Sequence, residues 1–177
     1  ELFKEINAGK TIHNGLEAYL KYSLPVDFSE SLRNSWLSAS YTLSDHRFTS
    51  FQNDGTNHSG KHLPGIPTNK FSFRTHLRIK DNFYSHFNYL FSGKMPMNDM
   101  NSLYSEQYSL FHIKTGYTFT IRKSAHINAF IGVNNIFDRR HASMIFVNAK
   151  GFEDKAPRYY YPGEPRALYF GLSIDIK

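Results

Sequence analysis

The sequence of 177 residues contains no cysteine, one tryptophan and no long apolar run. The absence of cysteine excludes disulfide bonds, thiolate metal sites and cysteine nucleophiles. It fits either a protein of a reducing compartment or an exported protein that has no disulfide bonds. No segment approaches about 18 consecutive apolar residues, so no membrane-spanning helix is predicted. The start at Glu1 shows neither an initiator methionine nor a signal-peptide pattern, and we expect the chain to begin within a longer fold.

Aromatic residues and positive charge are both present in excess. The 16 Phe and 12 Tyr are interleaved with polar residues, and the formal net charge is +6. Such a charge permits a nucleic acid or an anionic lipid as partner, but a modest excess spread evenly along a chain is more often simple solvation. Charge by itself therefore does not decide the class of partner.

A two-residue hydrophobic period is the main structural signal. In residues 71–80, apolar Phe71, Phe73, Leu77 and Ile79 alternate with basic or polar Arg74, His76, Arg78 and Lys80, which is the pattern of a strand with two unlike faces. Similar alternation predicts seven strands, at Ile12–Tyr22, Ser35–Ser44, Asn69–Lys80, Phe83–Phe91, Ser109–Ile121, Ala125–Asn134 and Leu168–Ile176. Because unpaired charges cannot be buried in a core, the polar faces must contact water and the apolar faces must contact a core or lipid.

The predicted connections alternate in length. Short turns at residues 80–82 and 122–124 contrast with long polar stretches at residues 45–67, 92–107 and 138–164. Tight turns make consecutive strands antiparallel neighbours, and strands of about ten residues tilted by about 45° match a bilayer core. We therefore predict an all-β fold, an antiparallel up-and-down barrel, with a transmembrane barrel favoured over a soluble one.

Two C-terminal segments carry a family resemblance. Residues 132–140 read GVNNIFDRR and residues 159–174 read YYYPGEPRALYFGLSI, and together they resemble the C-terminal end of TonB-dependent outer-membrane receptors. Residues 7–11 (NAGKT) with 15–17 (GLE), residues 60–67 (GKHLPGIP) and the Tyr-rich approach to the fifth strand are similar to the same family in the same order. One departure is the end of the chain, Ile176-Lys177, where the family usually has an aromatic residue.

The resemblance implies that residues 1–177 are the C-terminal segment, about seven strands, of a barrel of roughly 22 strands. It implies a bacterial outer-membrane active-transport receptor that imports a scarce nutrient, most plausibly a ferric siderophore or other iron chelate, with TonB-coupled energy. The implied partners are the remaining strands and the plug of the same polypeptide, the TonB complex, outer-membrane lipid and the ferric chelate, with no nucleic acid. Two alternatives stay open: a passive porin-type channel, and a soluble β-barrel that binds nucleic acid.

Candidate residues follow from these expectations. Basic and aromatic loop residues suit an anionic iron chelate, and we predict that five face the substrate: Arg47, Lys94, Tyr104, Arg139 and Arg140. The polar strand faces predict a lumen lined by Arg74, His76, Arg78 and Lys114.

Metal, cofactor and enzymatic sites are not predicted. No two of the nine histidines have metal-ligand spacing within one strand, and four of them lie in predicted outer loops, where they could meet a metal-bearing substrate: His46, His58, His62 and His141. Residues 55–61 have phosphate-loop spacing, but His62 stands where Ser or Thr is required and Pro64 prevents an immediate helix. No Ser-His-Asp or paired-carboxylate arrangement is evident, so we predict a protein that is not an enzyme.

Conformational roles are predicted for the C-terminal motif. Asn134 and Asn135 should satisfy backbone groups where a strand ends, and Gly132 should let another backbone approach closely. Pro165 should open the final strand, where a missing donor is tolerated.

Overall fold

The computed structural model describes residues 9–25, 30–53, 55–80, 82–122, 125–151 and 157–176. Within these ranges no helix is long and apolar enough to span a membrane. A short 3₁₀ turn covers Glu30–Leu32. The strands in chain order are β1 (Lys10–Ser23), β2 (Trp36–Ser50), β3 (Gln52–Asn53), β4 (Thr56–Asn57), β5 (Asn69–Ile79), β6 (Phe83–Ser92), β7 (Tyr108–Arg122), β8 (Ala125–Asn134), β9 (Ala142–Ile145), β10 (Tyr160–Pro162) and β11 (Ala167–Ile176).

Seven long strands form one antiparallel sheet in the order β1-β2-β5-β6-β7-β8-β11. Two small hairpins, β3–β4 and β9–β10, lie between consecutive long strands. Each long strand pairs with the next long strand along the chain, and every pairing is antiparallel. The predicted all-β, up-and-down arrangement is therefore confirmed, and six of the seven predicted strands match within two residues at each end.

The second strand is longer than predicted. The expectation that residues 45–67 form one long loop is wrong, because β2 continues to Ser50 and carries His46 and Arg47 within the strand. The physical reason is the length of β1, whose backbone pairs with β2 from Ser23 up to Lys10, with Lys10 opposite Ser50 beyond a bulge. Local polarity suggested a loop, but the partner strand supplies hydrogen bonds that hold the segment extended.

The connections fall at two ends of the sheet, as the alternation of lengths predicted. At one end are the turn after Ile79, the connection after Arg122 and the described parts of the connection between β1 and β2, residues 24–25 and 30–35; residues 26–29, Asp81, Lys123 and Ser124 lie outside the described residues. The sequence does not predict that this connection lies at the same end as the short turns. Residues 30–35 fold back on the β5–β6 turn, where Lys80 N donates to Ser31 O at 2.9 Å and Arg78 N donates to Ser35 Oγ at 2.8 Å.

The register places all the apolar sets on one face of the sheet. Across the middle of the sheet one row of paired residues runs Ala39, Phe73, Tyr89, Phe111, and similar rows lie above and below it. Nothing in the described chain covers this face: Phe119 and Ile131, on strands with neighbours on both sides, are 50% and 48% exposed. A continuous uncovered apolar face of this extent requires an apolar environment, as lipid provides.

The opposite face is polar and contains three interlocked aromatic–glycine pairs. Tyr84 lies across from Gly116, Tyr169 across from Gly132, and Phe130 across from Gly171. A Cβ at each glycine would collide with the facing ring. The prediction that Gly132 admits another backbone is therefore wrong in its reason, because Gly132 makes room for the Tyr169 ring instead.

The two faces of β5 should respond differently to a change of charge. Replacing Phe73 by Lys places an ammonium group on the apolar face near the middle of the strand, and in a full-length receptor in lipid it should reduce the free energy of unfolding by about 2–4 kcal/mol. The matched control is Arg74→Gln on the polar face, with an expected change of about 0.5 kcal/mol or less. Denaturant titration in lipid vesicles measures both, and equal losses would contradict the assignment of the faces.

The interlock of Gly132 with Tyr169 should appear as a coupling free energy. Gly132→Ala should reduce the free energy of unfolding by about 1–3 kcal/mol, because the added methyl group displaces the Tyr169 ring. When Tyr169 is already replaced by Leu, Gly132→Ala should reduce the free energy of unfolding by a markedly smaller amount. A double-mutant cycle in the full-length protein measures the difference, and strictly additive effects would show that the ring does not depend on the glycine.

Candidate substrate-binding region

Three loops occupy the end of the sheet opposite the short turns. They are L1 (residues 51–68), L2 (residues 93–107) and L3 (residues 135–166, described except for 152–156). L2 is bound to L1 through reciprocal hydrogen bonds, in which His62 N donates to Asn101 Oδ1 at 2.7 Å and Asn101 Nδ2 donates to His62 O at 2.9 Å. Gly65 N also donates to Pro96 O at 2.8 Å. L1 and L2 are therefore held together by backbone and amide groups.

L2 is bound to L3 through Asn148. Asn148 N donates to Met97 O at 2.9 Å, its Oδ1 accepts from Asp99 N at 3.0 Å, and its Nδ2 donates to Asp99 Oδ2 at 2.9 Å. Met97 is fully buried beneath this junction. Asn148 has a φ of 53°, a left-handed conformation that asparagine tolerates better than most residues. The three loops thus form one hydrogen-bonded layer.

A buried asparagine fixes the base of L3. Asn135 Nδ2 donates to Arg139 O and to Glu164 O, both at 3.0 Å, and Oδ1 accepts from Arg139 N at 2.9 Å. One amide therefore holds both ends of L3, and the prediction that Asn135 satisfies backbone groups at the strand end is confirmed. Asp138 assists, since its Oδ1 accepts from Arg166 N at 2.8 Å just before β11.

Tyr108 is the common wall of three adjoining cavities beneath the loops. The first, of about 390 Å³, lies between L2 and the β9–β10 hairpin and is lined also by Glu106, Arg140, His141 and Tyr160. The second, of about 270 Å³, shares Met95, Ala142 and Ile145 with the first and adds Lys70. The third, of about 330 Å³, shares Lys70 with the second and opens on the polar face of the sheet at Ser72 and Leu110. Together they make a groove that leads from the loops to the polar face.

The upper part of the groove is aromatic and carries a positive charge. The Tyr108 and His141 rings lie 5.0 Å apart at an angle of 41°, and the His141 ring packs against Gly163, where any Cβ would collide with it. Arg140 lines this part and has no ion-pair partner among the described residues, whereas its neighbour Arg139 lies 3.5 Å from Glu106. The site therefore presents rings, the Arg140 cation and the Glu106 carboxylate, which is paired with Arg139, to a bound molecule.

The five predicted substrate-facing residues occupy different positions. Arg140 lines the first of the cavities described above, and Arg139 lines a separate one of about 360 Å³ beside Phe111 and Phe137. Lys94 and Tyr104 lie in L2, as predicted, and line none of these cavities. Arg47 does not lie in a loop: it is in β2, where its Nε is 2.7 Å from Asp45 Oδ1 and its Nη1 donates to Gly60 O.

Three residues that line the groove are not predicted from the sequence, Lys70, Tyr108 and Tyr160, whereas His141 is one of the loop histidines that could meet a metal-bearing substrate. Tyr108 could have been found, because the alternation of Leu110 and His112 on the polar face continues one step back to position 108. Lys70 could have been found in the same way, because the alternation of Ser72 and Arg74 on the polar face continues one step back to position 70. Tyr160 has no such signal, and nothing in the sequence places it beside His141, since only the folding of L3 brings residues so distant in sequence to one cavity.

The residues predicted to line the lumen share the polar face of the sheet. His76 pairs across strands with His86, and His86 pairs with Lys114, so the three lie in one row with Trp36 beyond His76. Lys114 Nζ lies 3.9 Å from the centroid of the Phe130 ring, and His76 stacks on Trp36. Among described residues the ion pairs, Asp45–Arg47, Asp45–His62 and Glu106–Arg139, all lie near the loops.

The close contacts between histidines join residues on neighbouring strands, not residues of the same strand. His76 Nδ1 and His86 Nδ1 are 3.3 Å apart, and the His13 and His46 rings are 4.8 Å apart. The His76–His86 contact follows from the register of the hairpin, in which both residues are five positions from residue 81. In the described part of the chain no three His, Asp or Glu side chains are placed to hold a metal ion.

Comparison with known proteins identifies the family. Residues 3–136 match the family model described as TonB dependent receptor-like, beta-barrel. The chain belongs to this family. Members of the family are outer-membrane receptors and transporters of Gram-negative bacteria rather than enzymes. Against the curated proteins no sequence match is found.

Two solved structures are similar to this sheet. The ferric citrate transporter FecA, in the unliganded form, superposes with a TM-score of 0.71 at 23% identity over 94% of this chain and 24% of its own. The siderophore receptor PiuA from Acinetobacter baumannii gives a TM-score of 0.71 at 16% identity over 94% of this chain and 22% of its own. The chain therefore spans about a quarter of either receptor, and its seven-stranded sheet is a partial barrel.

Removing the Asn135 amide should loosen L3 selectively. Asn135→Ala leaves Arg139 N and two carbonyl groups without their partner, and the free energy of unfolding should fall by about 1–3 kcal/mol. L3 should also be cut faster in limited proteolysis of the full-length protein. The control is Asn134→Ala, whose Oδ1 is 3.4 Å from His112 Nδ1 and makes no bond to L3. Equal proteolysis of both variants would contradict the clamp.

Proposed function

We propose that this chain is the C-terminal part of an outer-membrane receptor that imports an anionic ferric chelate with energy supplied through TonB. The rest of the barrel and a plug would belong to the same polypeptide. The observation that carries the proposal is the charge of the polar face, whose central strands are basic and carry no carboxylate, and which is reached from the loop groove through Lys70.

The central strands present no acidic residue to the lumen. On the polar faces of β2, β5, β6, β7 and β8, the charged residues are Lys70, Arg74, Arg78 and Lys114. The acidic residues on this face, Glu17 and Asp175, lie on the edge strands β1 and β11. A wall of one sign raises the local concentration of a ligand of the opposite sign, which suits an anionic chelate.

The apolar face supports insertion in a bilayer. All the central strands are paired on both sides, so their backbone groups need no water, and the uncovered side chains are apolar. The two edge strands remain, and in a closed barrel they would pair with strands supplied by the rest of the polypeptide. The soluble nucleic-acid-binding barrel is set aside, since the chain belongs to a family of outer-membrane receptors.

Uptake in whole cells tests the proposal. The full-length protein, expressed in a Gram-negative strain without other iron receptors, should support the uptake of at least one radiolabelled anionic ferric chelate. A protonophore that dissipates the inner-membrane potential should abolish uptake but leave binding at the cell surface. The control is the same strain without the gene.

The contrary outcomes are distinct. Uptake that is insensitive to the protonophore would favour the passive-channel alternative over the receptor. Failure to bind any of a panel of ferric citrate, ferric hydroxamates and ferric catecholates would overturn the assignment of an iron chelate. Recovery of a folded full-length protein from the aqueous phase without detergent would overturn the location in the membrane.

A further inference from the structure

The groove beneath the loops differs in chemistry along its length. Its upper part, between L2 and the β9–β10 hairpin, is walled by the rings of Tyr108, His141 and Tyr160, with Arg140 and the Arg139-paired Glu106 beside them. Its lower part has a single cation, Lys70, among Ser72, Ser92 and the ends of apolar side chains. A ligand that fills the whole groove must therefore offer flat apolar surface at one end and negative charge where it meets Arg140 and Lys70.

Compact polycarboxylates match this lining poorly. A citrate complex has no ring to place against Tyr108, His141 and Tyr160, and its carboxylates would lose water on entering a part walled mainly by apolar groups. An anionic arene satisfies both requirements, because its ring stacks on the aromatic walls while its oxygen atoms face Arg140 and Lys70. A volume of about 390 Å³ for the upper part lies within the usual range of small-molecule sites.

We infer that the groove around Tyr108 is a subsite for an anionic arene of the chelate, and that the receptor therefore prefers ferric catecholates to ferric citrate or hydroxamates. This inference rests on the proposed function, since it names the class of chelate for that same site. Tyr108 is the central contact, because it lines the groove from the loops to the polar face. Tyr160 closes the aromatic end, and Lys70 supplies charge to any anionic ligand.

The rigidity of the loop layer supports a preformed site. Asn135 holds both ends of L3, and Asn148 and Asn101 tie L3 and L1 to L2, so the aromatic walls are positioned by hydrogen bonds within the loops themselves. The absence of a side chain at Gly163 leaves room for the His141 ring, because a Cβ there would collide with it. A site that is already formed does not require the ligand to order it.

The experiment is equilibrium binding of three iron-labelled probes to the full-length receptor in detergent. The probes are the ferric complexes of 2,3-dihydroxybenzoate, acetohydroxamate and citrate. The catecholate should bind at least tenfold more tightly than the other two. Tyr160→Ala and Tyr108→Leu should each weaken catecholate binding by about tenfold and leave the other probes within about twofold.

Two controls separate stacking from charge and from folding. Tyr161→Ala changes the neighbouring residue of β10, whose ring packs on Phe146 and lines none of the cavities, and it should leave all affinities unchanged. Lys70→Gln should weaken every anionic probe, whether or not it carries a ring, whereas Lys61→Gln in L1 should weaken none. Tyr160 lies on an exposed hairpin, so its variant is expected to fold even if Tyr108→Leu does not.

The outcomes distinguish this inference from the proposed function. If citrate or hydroxamate binds as tightly as the catecholate, or if Tyr160→Ala weakens all probes equally, the arene subsite is wrong while a chelate receptor remains. If a ferric chelate binds but neither tyrosine variant alters its affinity, the subsite is likewise wrong. If no probe binds at all, the proposed function fails and the subsite fails with it.

Discussion

The requirement that every backbone N–H and C=O in an apolar environment be hydrogen-bonded governs the rest of this structure. A strand cannot satisfy it alone, so each long strand must pair on both sides, and the chain solves this by joining neighbours in sequence. The same requirement keeps β2 extended as far as Ser50, because β1 needs a partner up to Lys10. Once pairing is fixed, the period of two assigns each side chain to the lipid or to the lumen without further choice.

The two faces are packed by different means. On the apolar face, large side chains remain uncovered within this chain and depend on their environment. On the polar face, rings lie over glycines, as Tyr169 does over Gly132, and cations lie over rings, as Lys114 does over Phe130. On the central strands these contacts involve no carboxylate, so that part of the polar face is basic. The side chains that pack this face are therefore also the ones on which the proposed preference for an anionic chelate rests.

The loops have their own stabilising contacts, which are separate from those of the sheet. Asn101, Asn135 and Asn148 bind backbone groups across loops and close the layer over the sheet. The sequence does not indicate these roles for Asn101 and Asn148, because an asparagine in a polar stretch is expected to be a solvated loop residue. Asn135 was recognisable only because it ends a clearly periodic strand. The groove around Tyr108 depends on all three, since L2 and L3 form its walls.

The sequence by itself determined the strands, their order and their faces, because a period of two and short turns leave few alternative pairings; even the His76–His86 contact follows from the position of one turn. It also determined the sign of charge on the polar face and the family, through degenerate but ordered motifs. The tertiary structure decided the site. Only the packing of L2 against L3 brings Tyr108, His141 and Tyr160 together. Loop contacts of this kind depend on distances between residues far apart in sequence, which no local period records.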